Sequence, residues 1–347
     1  MKPYIKCLLF FVGCLAVALI CVIVFIQYTK YNNPDGYIKN IPAENTATVT
    51  KNTQTKAIYD KRLERSVTID GVKRTYIVRT PKTNQSTTPH PVLFAFHPAG
   101  APASFMEENA PFYADPKAAS FFVVYPQGYE RTFNVGGCCA GAMKKGVDDV
   151  AFFKAIMEDL KTLLPIQEKA YLTGFSNGSF MTFRLICDVP ERIAAAAPYA
   201  GAIAMDSCVT GSTVPVMYVN GSEDSTTLFV DKTNASSRFT NAMNVLVLPH
   251  TALKAVATRN GCKATVAKSE SISAWGATCE KYEGCPLNGQ VSMCIIPNLG
   301  HAWPGSGDVQ NSKGFNTDGL GPFQPDLDST GPILDFFLKS AKAKLAR

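Results

Sequence analysis

Short apolar segments separated by helical patterns are the feature that most constrains the fold of this 347-residue chain. Six segments of five to nine residues are almost wholly apolar and rich in β-branched and aromatic side chains. Segments of this kind are typical of strands that are buried on both faces of a sheet. They are PVLFAF (91–96), FFVVY (121–125), KAYLTGF (169–175), IAAAAPYAG (193–201), VPVMYVNG (214–221) and QVSMCIIP (290–297).

Helical patterns lie between these segments, with apolar residues recurring every three or four positions. They cover DDVAFFKAIMEDLKTLL (148–164), SFMTFRLICDV (179–189) and PILDFFLKSAKAKL (332–345). The segments SVTID and TYIVRT lie on either side of Gly71 and predict a pair of strands ahead of the first buried segment. Strands that alternate with helices predict an α/β fold, with a mostly parallel, doubly wound sheet and helices on both faces.

The segment Gly174-x-Ser176-x-Gly178 lies between a predicted strand and a predicted helix. This is the position of a nucleophile elbow, in which a serine projects from a sharp strand-to-helix turn. Glycines on both sides remove side chains that would collide in the turn, and the helix start supplies N–H groups for a developing oxyanion. The spacing predicts Ser176 as a catalytic nucleophile, and the alternative is an ordinary small-residue turn.

A serine nucleophile needs a base, and histidine is the usual one. The order Ser, then Asp or Glu, then His that accompanies such an elbow leaves His250 and His301 as candidates. His250 begins a helical pattern and is expected on the surface, whereas His301 follows a predicted strand in the loop PNLGHAWPG. Asp224 follows VPVMYVNG and is the predicted acid, with Glu223 as its rival. We therefore predict a triad of Ser176, Asp224 and His301.

Two backbone N–H groups are expected to form the oxyanion hole. One belongs to Asn177, directly after the nucleophile, and the other comes from the loop after PVLFAF, which begins His97-Pro98-Ala99. Proline has no N–H, so Ala99 is the second predicted donor. His97 is predicted to brace this loop and not to act as a base.

Several longer stretches resemble the secreted esterases grouped as polyhydroxybutyrate depolymerase-like, which include feruloyl and acetylxylan esterases. They occur in the family's order across most of residues 65 to 338. The stretches are FHPAGA, YPQG (125–128), GGCCAGAMKKGVDDVAFF (136–153), YLTGFSNGSFMTFRLICDVPERIAAAAPYAG (171–201), VNGSEDS (219–225), RNGC (259–262) and LGHAWPG (299–305).

The resemblance implies an α/β-hydrolase fold with Ser176, Asp224 and His301 as the triad, in agreement with the argument from the residues. Two positions depart from the family's pattern. Pro98 stands where the family usually has Gly after His, and this affects the geometry of the second oxyanion donor. Ser179 stands where the family tends to have Gly, at a position already inside the helix.

The N-terminus contains an uncharged apolar run from Cys7 to Ile26 that follows Lys2 and Lys6. Twenty helical residues extend for about 30 Å, the thickness of a bilayer core. We predict an uncleaved signal-anchor that leaves the rest of the chain outside the cytoplasm, with a cleaved signal peptide as the alternative. Domain boundaries follow: a cytoplasmic tip and anchor at 1–28, a polar stalk at 29–60 and the catalytic domain at 61–347.

Three cysteines lie in the apolar run, and an even number follows it in the exported part of the chain. Up to four disulfides are expected there, with their pairing left open. No pair has C-x-x-C spacing, so no metal site is predicted. Asn84, Asn220 and Asn234 lie in sequons that would carry glycans only in a eukaryotic secretory route. The cysteines after the run are Cys138, Cys139, Cys187, Cys208, Cys262, Cys279, Cys285 and Cys294.

The predicted function is an extracytoplasmic serine carboxylesterase of the feruloyl or acetyl type, acting on polysaccharide-linked or small esters. A poly(3-hydroxyalkanoate) depolymerase and a non-catalytic surface protein are the alternatives.

Trp303 is expected to offer an aromatic wall to the substrate, or else to pack in the core. No cofactor is implied, because acyl transfer needs only the triad and the oxyanion hole. The net charge of +6 is spread thinly, without a basic and aromatic run, and predicts no nucleic-acid partner; the oligomeric state stays open.

Overall fold

The structure, a computed structural model, describes residues 60–82, 87–201, 203, 213–224, 249–269, 271–307 and 320–345. All of these residues belong to the second of the two compact units into which the chain divides, Gln54–Arg347. Among them, no helix has the length and apolar character that crossing a membrane requires. The predicted anchor and nearly all of the predicted stalk lie outside the described residues.

Ten strands of the described residues form one mixed sheet, in the order β1-β2-β4-β3-β5-β6-β7-β10-β9-β8. The six central strands β4, β3, β5, β6, β7 and β10 are parallel, and antiparallel strands are added at both edges. The bounds are β1 Arg62–Ile69, β2 Val72–Arg79, β3 Val92–Phe96, β4 Phe122–Pro126, β5 Ala170–Phe175, β6 Ile193–Tyr199, β7 Val216–Gly221, β8 Val266–Lys268, β9 Thr278–Tyr282 and β10 Val291–Ile296.

Helices cover both faces of this sheet, as the alternating pattern predicts. One face packs its core against α3, α4 and α5, and the other against α1 and α6. Residues of β3, β4, β5, β6 and β7 are buried throughout, because the parallel strands are covered on both sides. The bounds are α1 Ala103–Asn109, α2 Ala140–Lys145, α3 Asp149–Lys161, α4 Asn177–Asp188, α5 Pro249–Arg259 and α6 Gly331–Leu345.

Each of the six buried segments forms a strand, and the predicted mostly parallel α/β sheet is confirmed. The short antiparallel strands β8 and β9 were not predicted. Their residues are mostly exposed, so neither strand carries the apolar run that identifies the buried strands.

Disulfides join Cys262 to Cys285 and Cys279 to Cys294, and a third links the adjacent Cys138 and Cys139. Cys279 and Cys294 are register partners on β9 and β10, so their bond ties the antiparallel strand β9 to the parallel part of the sheet. Cys187 is also disulfide-bonded. Cys208 lies outside the described residues.

The sequon asparagine Asn220 is not a surface residue. It lies in the parallel strand β7 and is 0% exposed, so a glycan cannot be attached there in the folded protein. The segment VPVMYVNG already indicates this burial, because the asparagine lies in one of the six apolar runs that predict buried strands. Asn84 and Asn234 lie outside the described residues.

Helix α4 begins directly after β5 and packs unusually close to the sheet. A Cβ atom at Gly178 would collide with the carbonyl group of Phe96 at the end of β3, and one at Gly174 would collide with the carbonyl group of Gly178. The first turn of α4 can therefore lie against β3 and β5 only because both positions are glycine. This contact sets the place of Ser176, which lies between them.

Replacement of Gly178 by alanine is expected to lower the free energy of unfolding by about 2 kcal/mol or more, because the new methyl group meets backbone atoms that cannot move aside. Chemical denaturation measures the effect. Gly307→Ala is the control, since a Cβ at this exposed glycine meets no atom of the described residues within 4 Å, and its effect should stay within about 0.5 kcal/mol. Wild-type stability in Gly178→Ala would contradict the close packing.

Candidate active site

Ser176 occupies the sharp turn between β5 and α4. Its backbone has φ 55° and ψ −116°, a conformation that side-chain-bearing residues rarely adopt. The Ser176 N–H donates to the carbonyl oxygen of Tyr199 at 3.1 Å, which fixes the turn to the end of β6. The side chain is half-buried, whereas its neighbours Phe175 and Asn177 are buried. This strained, partly accessible serine has the form of a nucleophile elbow.

His301 and Asp224 form a buried hydrogen-bonded pair, with 2.9 Å between His301 Nδ1 and Asp224 Oδ2. Asp224 follows β7 and His301 follows β10, and these two strands are parallel neighbours whose carboxyl ends meet at one edge. The side chains are 3% and 0% exposed. Glu223, the rival acid, is exposed and contacts the hydroxyl group of Ser222 instead.

The imidazole of His301 lies against the ring of Phe175, the residue before Ser176, with 4.8 Å between the ring centroids. With Nδ1 donating a hydrogen bond to the Asp224 carboxylate, Nε2 is the ring nitrogen left to act toward a substrate. The sequence-predicted base and acid are therefore joined to each other and lie next to the elbow.

The two predicted oxyanion donors lie at the ends of neighbouring parallel strands. Asn177 is the first residue of α4, so its N–H has no acceptor within the helix. Ala99 is half-buried and follows β3, which pairs with β5 up to the register of Phe96 and Gly174. Its N–H has no acceptor among the described residues, whereas the next two N–H groups in the loop are hydrogen-bonded.

His97 holds this loop from inside the core. Its Nδ1 donates to the carbonyl oxygen of Pro98 at 2.8 Å, and its Nε2 accepts from the Gly128 N–H at 2.9 Å. Burial lowers the pKa of His97 to about 4, so the imidazole is neutral near neutral pH. These contacts agree with the predicted bracing of the loop. His250, in contrast, is exposed on α5, as expected.

Trp303 does not form the aromatic wall that was the first expectation for it. The side chain is 0% exposed and its indole N–H donates to the carbonyl oxygen of Ser329 at 3.1 Å. Its ring packs against Tyr199, with 5.3 Å between the centroids. The structure therefore supports the alternative, in which Trp303 stabilises the core behind His301.

Segment 133–134 contacts the elbow and was not predicted from the sequence. The N–H and carbonyl groups of Phe133 bind the side chain of Asn177, and the N–H of Asn134 donates to Asp149 Oδ2 at 2.7 Å. The motif GVDDV contained a signal for this contact, because it places two carboxylates at a helix start that needs only one as a cap. Asp148 is that cap, whereas Asp149 is buried.

Among the described residues, no three His, Cys, Asp or Glu side chains lie together as a metal site requires. The polar groups that the described residues place at the carboxyl edge of the sheet include the Ser176 hydroxyl, the His301 imidazole, the Asp224 carboxylate and backbone N–H groups. Such a set can activate a hydroxyl nucleophile and stabilise a developing oxyanion.

Acid should destabilise the protein through His97. Above pH 6.5 this histidine is neutral in both folded and unfolded chains. As the pH falls from 6.5 to about 4, only the unfolded chain binds the proton, so the free energy of unfolding falls by up to about 3 kcal/mol. Denaturation of the wild type and His97→Gln at several pH values measures this. His97→Gln should lose that part of the pH dependence, while the exposed-site control His250→Gln should keep it.

Known proteins resemble this chain over much of its length, although no protein-family profile matches it. Feruloyl esterase B of Piromyces equi is 25% identical over 240 residues, which are 66% of this chain and 42% of that protein. Feruloyl esterase D of Neurospora crassa is 25% identical over 241 residues, which are 65% of this chain and 73% of that protein. The chain thus spans less than half of the first relative and about three quarters of the second.

A bifunctional acetylxylan esterase/xylanase of Neocallimastix patriciarum is 26% identical over 137 residues, 39% of this chain and 19% of that protein. Among solved structures, the acetyl xylan esterase of Aspergillus awamori is 16% identical with a TM-score of 0.45, covering 69% of this chain and 94% of that one. Because this TM-score is below 0.5, the fold assignment rests on the strand order and the elbow. The polyhydroxybutyrate depolymerase part of the predicted resemblance is not confirmed. The chain has the α/β-hydrolase fold and is a homologue of proteins named feruloyl esterase and acetylxylan esterase.

Proposed function

We propose that this protein is a serine carboxylesterase that removes feruloyl or acetyl groups from polysaccharide-linked or small esters. The observation that carries the proposal is the buried His301–Asp224 hydrogen bond beside the strained Ser176. The names of the relatives support the substrate class, since they act on feruloyl and acetylxylan esters.

In the proposed mechanism, Ser176 Oγ attacks the ester carbonyl carbon while His301 Nε2 takes the serine proton. The carbonyl oxygen becomes an oxyanion that accepts from the N–H groups of Asn177 and Ala99. Asp224 stabilises the imidazolium. Collapse breaks the bond to the alcohol, which leaves with the proton from His301, and an acyl group remains on Ser176. Water then attacks this acyl-enzyme with His301 as its base, releasing the acid and restoring the serine.

The proposed place of action is outside the cytoplasm, with the chain held by the apolar run at its N-terminus or released after cleavage of that run. The disulfides of the described residues support this proposal, because such bonds form and persist in oxidising compartments.

Ser176→Ala should reduce kcat for 4-nitrophenyl acetate by about 10⁴-fold or more, because no other group of the site can form the acyl-enzyme. Steady-state kinetics measure the loss, and circular dichroism checks that the variant is folded. Ser179→Ala is the matched control, because Ser179 lies one helical turn away with a buried hydroxyl that has no partner among the described residues. It should retain wild-type kcat.

Full activity in Ser176→Ala would contradict the assignment of the nucleophile. An inactive wild type that is folded would favour the non-catalytic alternative. A panel of acetyl, feruloyl and 3-hydroxybutyrate esters assigns the acyl preference, and hydrolysis of the 3-hydroxybutyrate ester alone would favour polyester depolymerisation instead.

A further inference from the structure

The side chain of Asn177 is fixed by a two-point contact with one backbone unit. Its Oδ1 accepts from the N–H of Phe133 at 2.7 Å, and its Nδ2 donates to the carbonyl oxygen of the same residue at 3.2 Å. The residue is 1% exposed, so the carboxamide faces the protein and not a substrate. The position of the Asn177 N–H therefore depends on where the backbone of Phe133 is held.

Asp149 holds the next residue of that backbone, Asn134. Its Oδ2 accepts from the N–H of Asn134 at 2.7 Å, and its Oδ1 accepts from Arg74 Nη2 at 2.5 Å. The Arg74 and Asp149 side chains are 2% and 1% exposed. The guanidinium group of Arg74 also lies over the ring of Phe152, 4.2 Å from its centroid.

Two simpler explanations account poorly for Asp149. The helix start of α3 is already capped by Asp148, whose carboxylate accepts from the N–H of Ala151 at 2.8 Å. A buried ion pair is also an inefficient stabiliser, because removal of both charges from water costs about as much as their attraction returns. The Asp149 carboxylate of this pair instead holds the N–H of Asn134, the residue next to Phe133, whose backbone binds the side chain of Asn177.

We propose that Asp149 is a positioning residue for the oxyanion donor at Asn177. Arg74 fixes the carboxylate, the carboxylate fixes segment 133–134, and Phe133 fixes the side chain of Asn177. Arg184 of α4 contributes to the same arrangement through a hydrogen bond to the carbonyl oxygen of Asn134. The inference rests on the proposed function, in which the Asn177 N–H receives the oxyanion.

Asp149→Asn tests this inference, because it keeps the shape of the side chain and removes its charge. Loss of a whole oxyanion donor costs about 10²–10³-fold in kcat, so a misplaced donor should cost about 10–100-fold. The loss should fall on kcat and leave KM nearly unchanged, since the donor acts on the transition state. The inhibition constant of a boronic acid that mimics the tetrahedral intermediate should rise in parallel with the loss in kcat/KM.

Asp159→Asn is the matched control on the same helix. Asp159 binds Arg65 at 2.6 and 2.8 Å and the hydroxyl group of Tyr76, so this variant also breaks an Arg–Asp pair between the sheet and α3. Asp159 lies ten positions further along α3, at the other end of the helix from segment 133–134. It should lose stability but keep wild-type kcat when rates are normalised to active sites titrated with a fluorophosphonate.

Asn177→Ala provides a second test if Asp149→Asn does not fold, because it removes the contact with Phe133 and keeps the backbone N–H. It should lower kcat with little change in KM. Where Asp149→Asn does fold, the double variant should lose little more kcat than Asn177→Ala alone. Wild-type kcat in Asn177→Ala, or equal kcat losses in Asp149→Asn and Asp159→Asn, would overturn the inference. Neither result affects the proposed function, which is tested separately by the activity of the wild type, by Ser176→Ala and by the ester panel.

Discussion

The close contact between the first turn of α4 and the ends of β3 and β5 is the constraint on which the rest of the site depends. Because Gly174 and Gly178 have no side chains, the helix start approaches the carbonyl group of Phe96 closely. This approach forces Ser176 into its left-handed backbone conformation and directs the free N–H groups of the helix toward the carboxyl edge of the sheet. The loop that contains Ala99 begins at the same place, directly after β3.

The second constraint is the parallel pairing of β7 with β10. It brings the loops that contain Asp224 and His301 to one edge, where Ser222 N–H donates to Ile296 O and Glu223 N–H donates to Leu299 O. These backbone contacts direct Asp224 toward the imidazole and leave Glu223 in solvent. The turn after β7 thus decides which of these two adjacent acids faces the imidazole.

The sequence predicts the parts of the site that depend on local chain order. Ser176, Asp224 and His301 each follow an apolar strand, and parallel strands place their carboxyl ends together, so the pairing of Asp224 with His301 could be anticipated. The role of Trp303 could not, because its burial depends on Tyr199 and Ser329, which are distant in sequence. The role of Asp149 could not be predicted either, since its partner Arg74 lies on another element.

A crystal structure of the protein after reaction with a fluorophosphonate tests the central claim most directly, because the phosphonyl group mimics the tetrahedral intermediate. We predict a covalent bond from Ser176 Oγ to phosphorus, with the phosphonyl oxygen accepting from the N–H groups of Asn177 and Ala99 and with His301 still paired to Asp224. A bond to another residue, or a phosphonyl oxygen directed away from both N–H groups, would contradict the account.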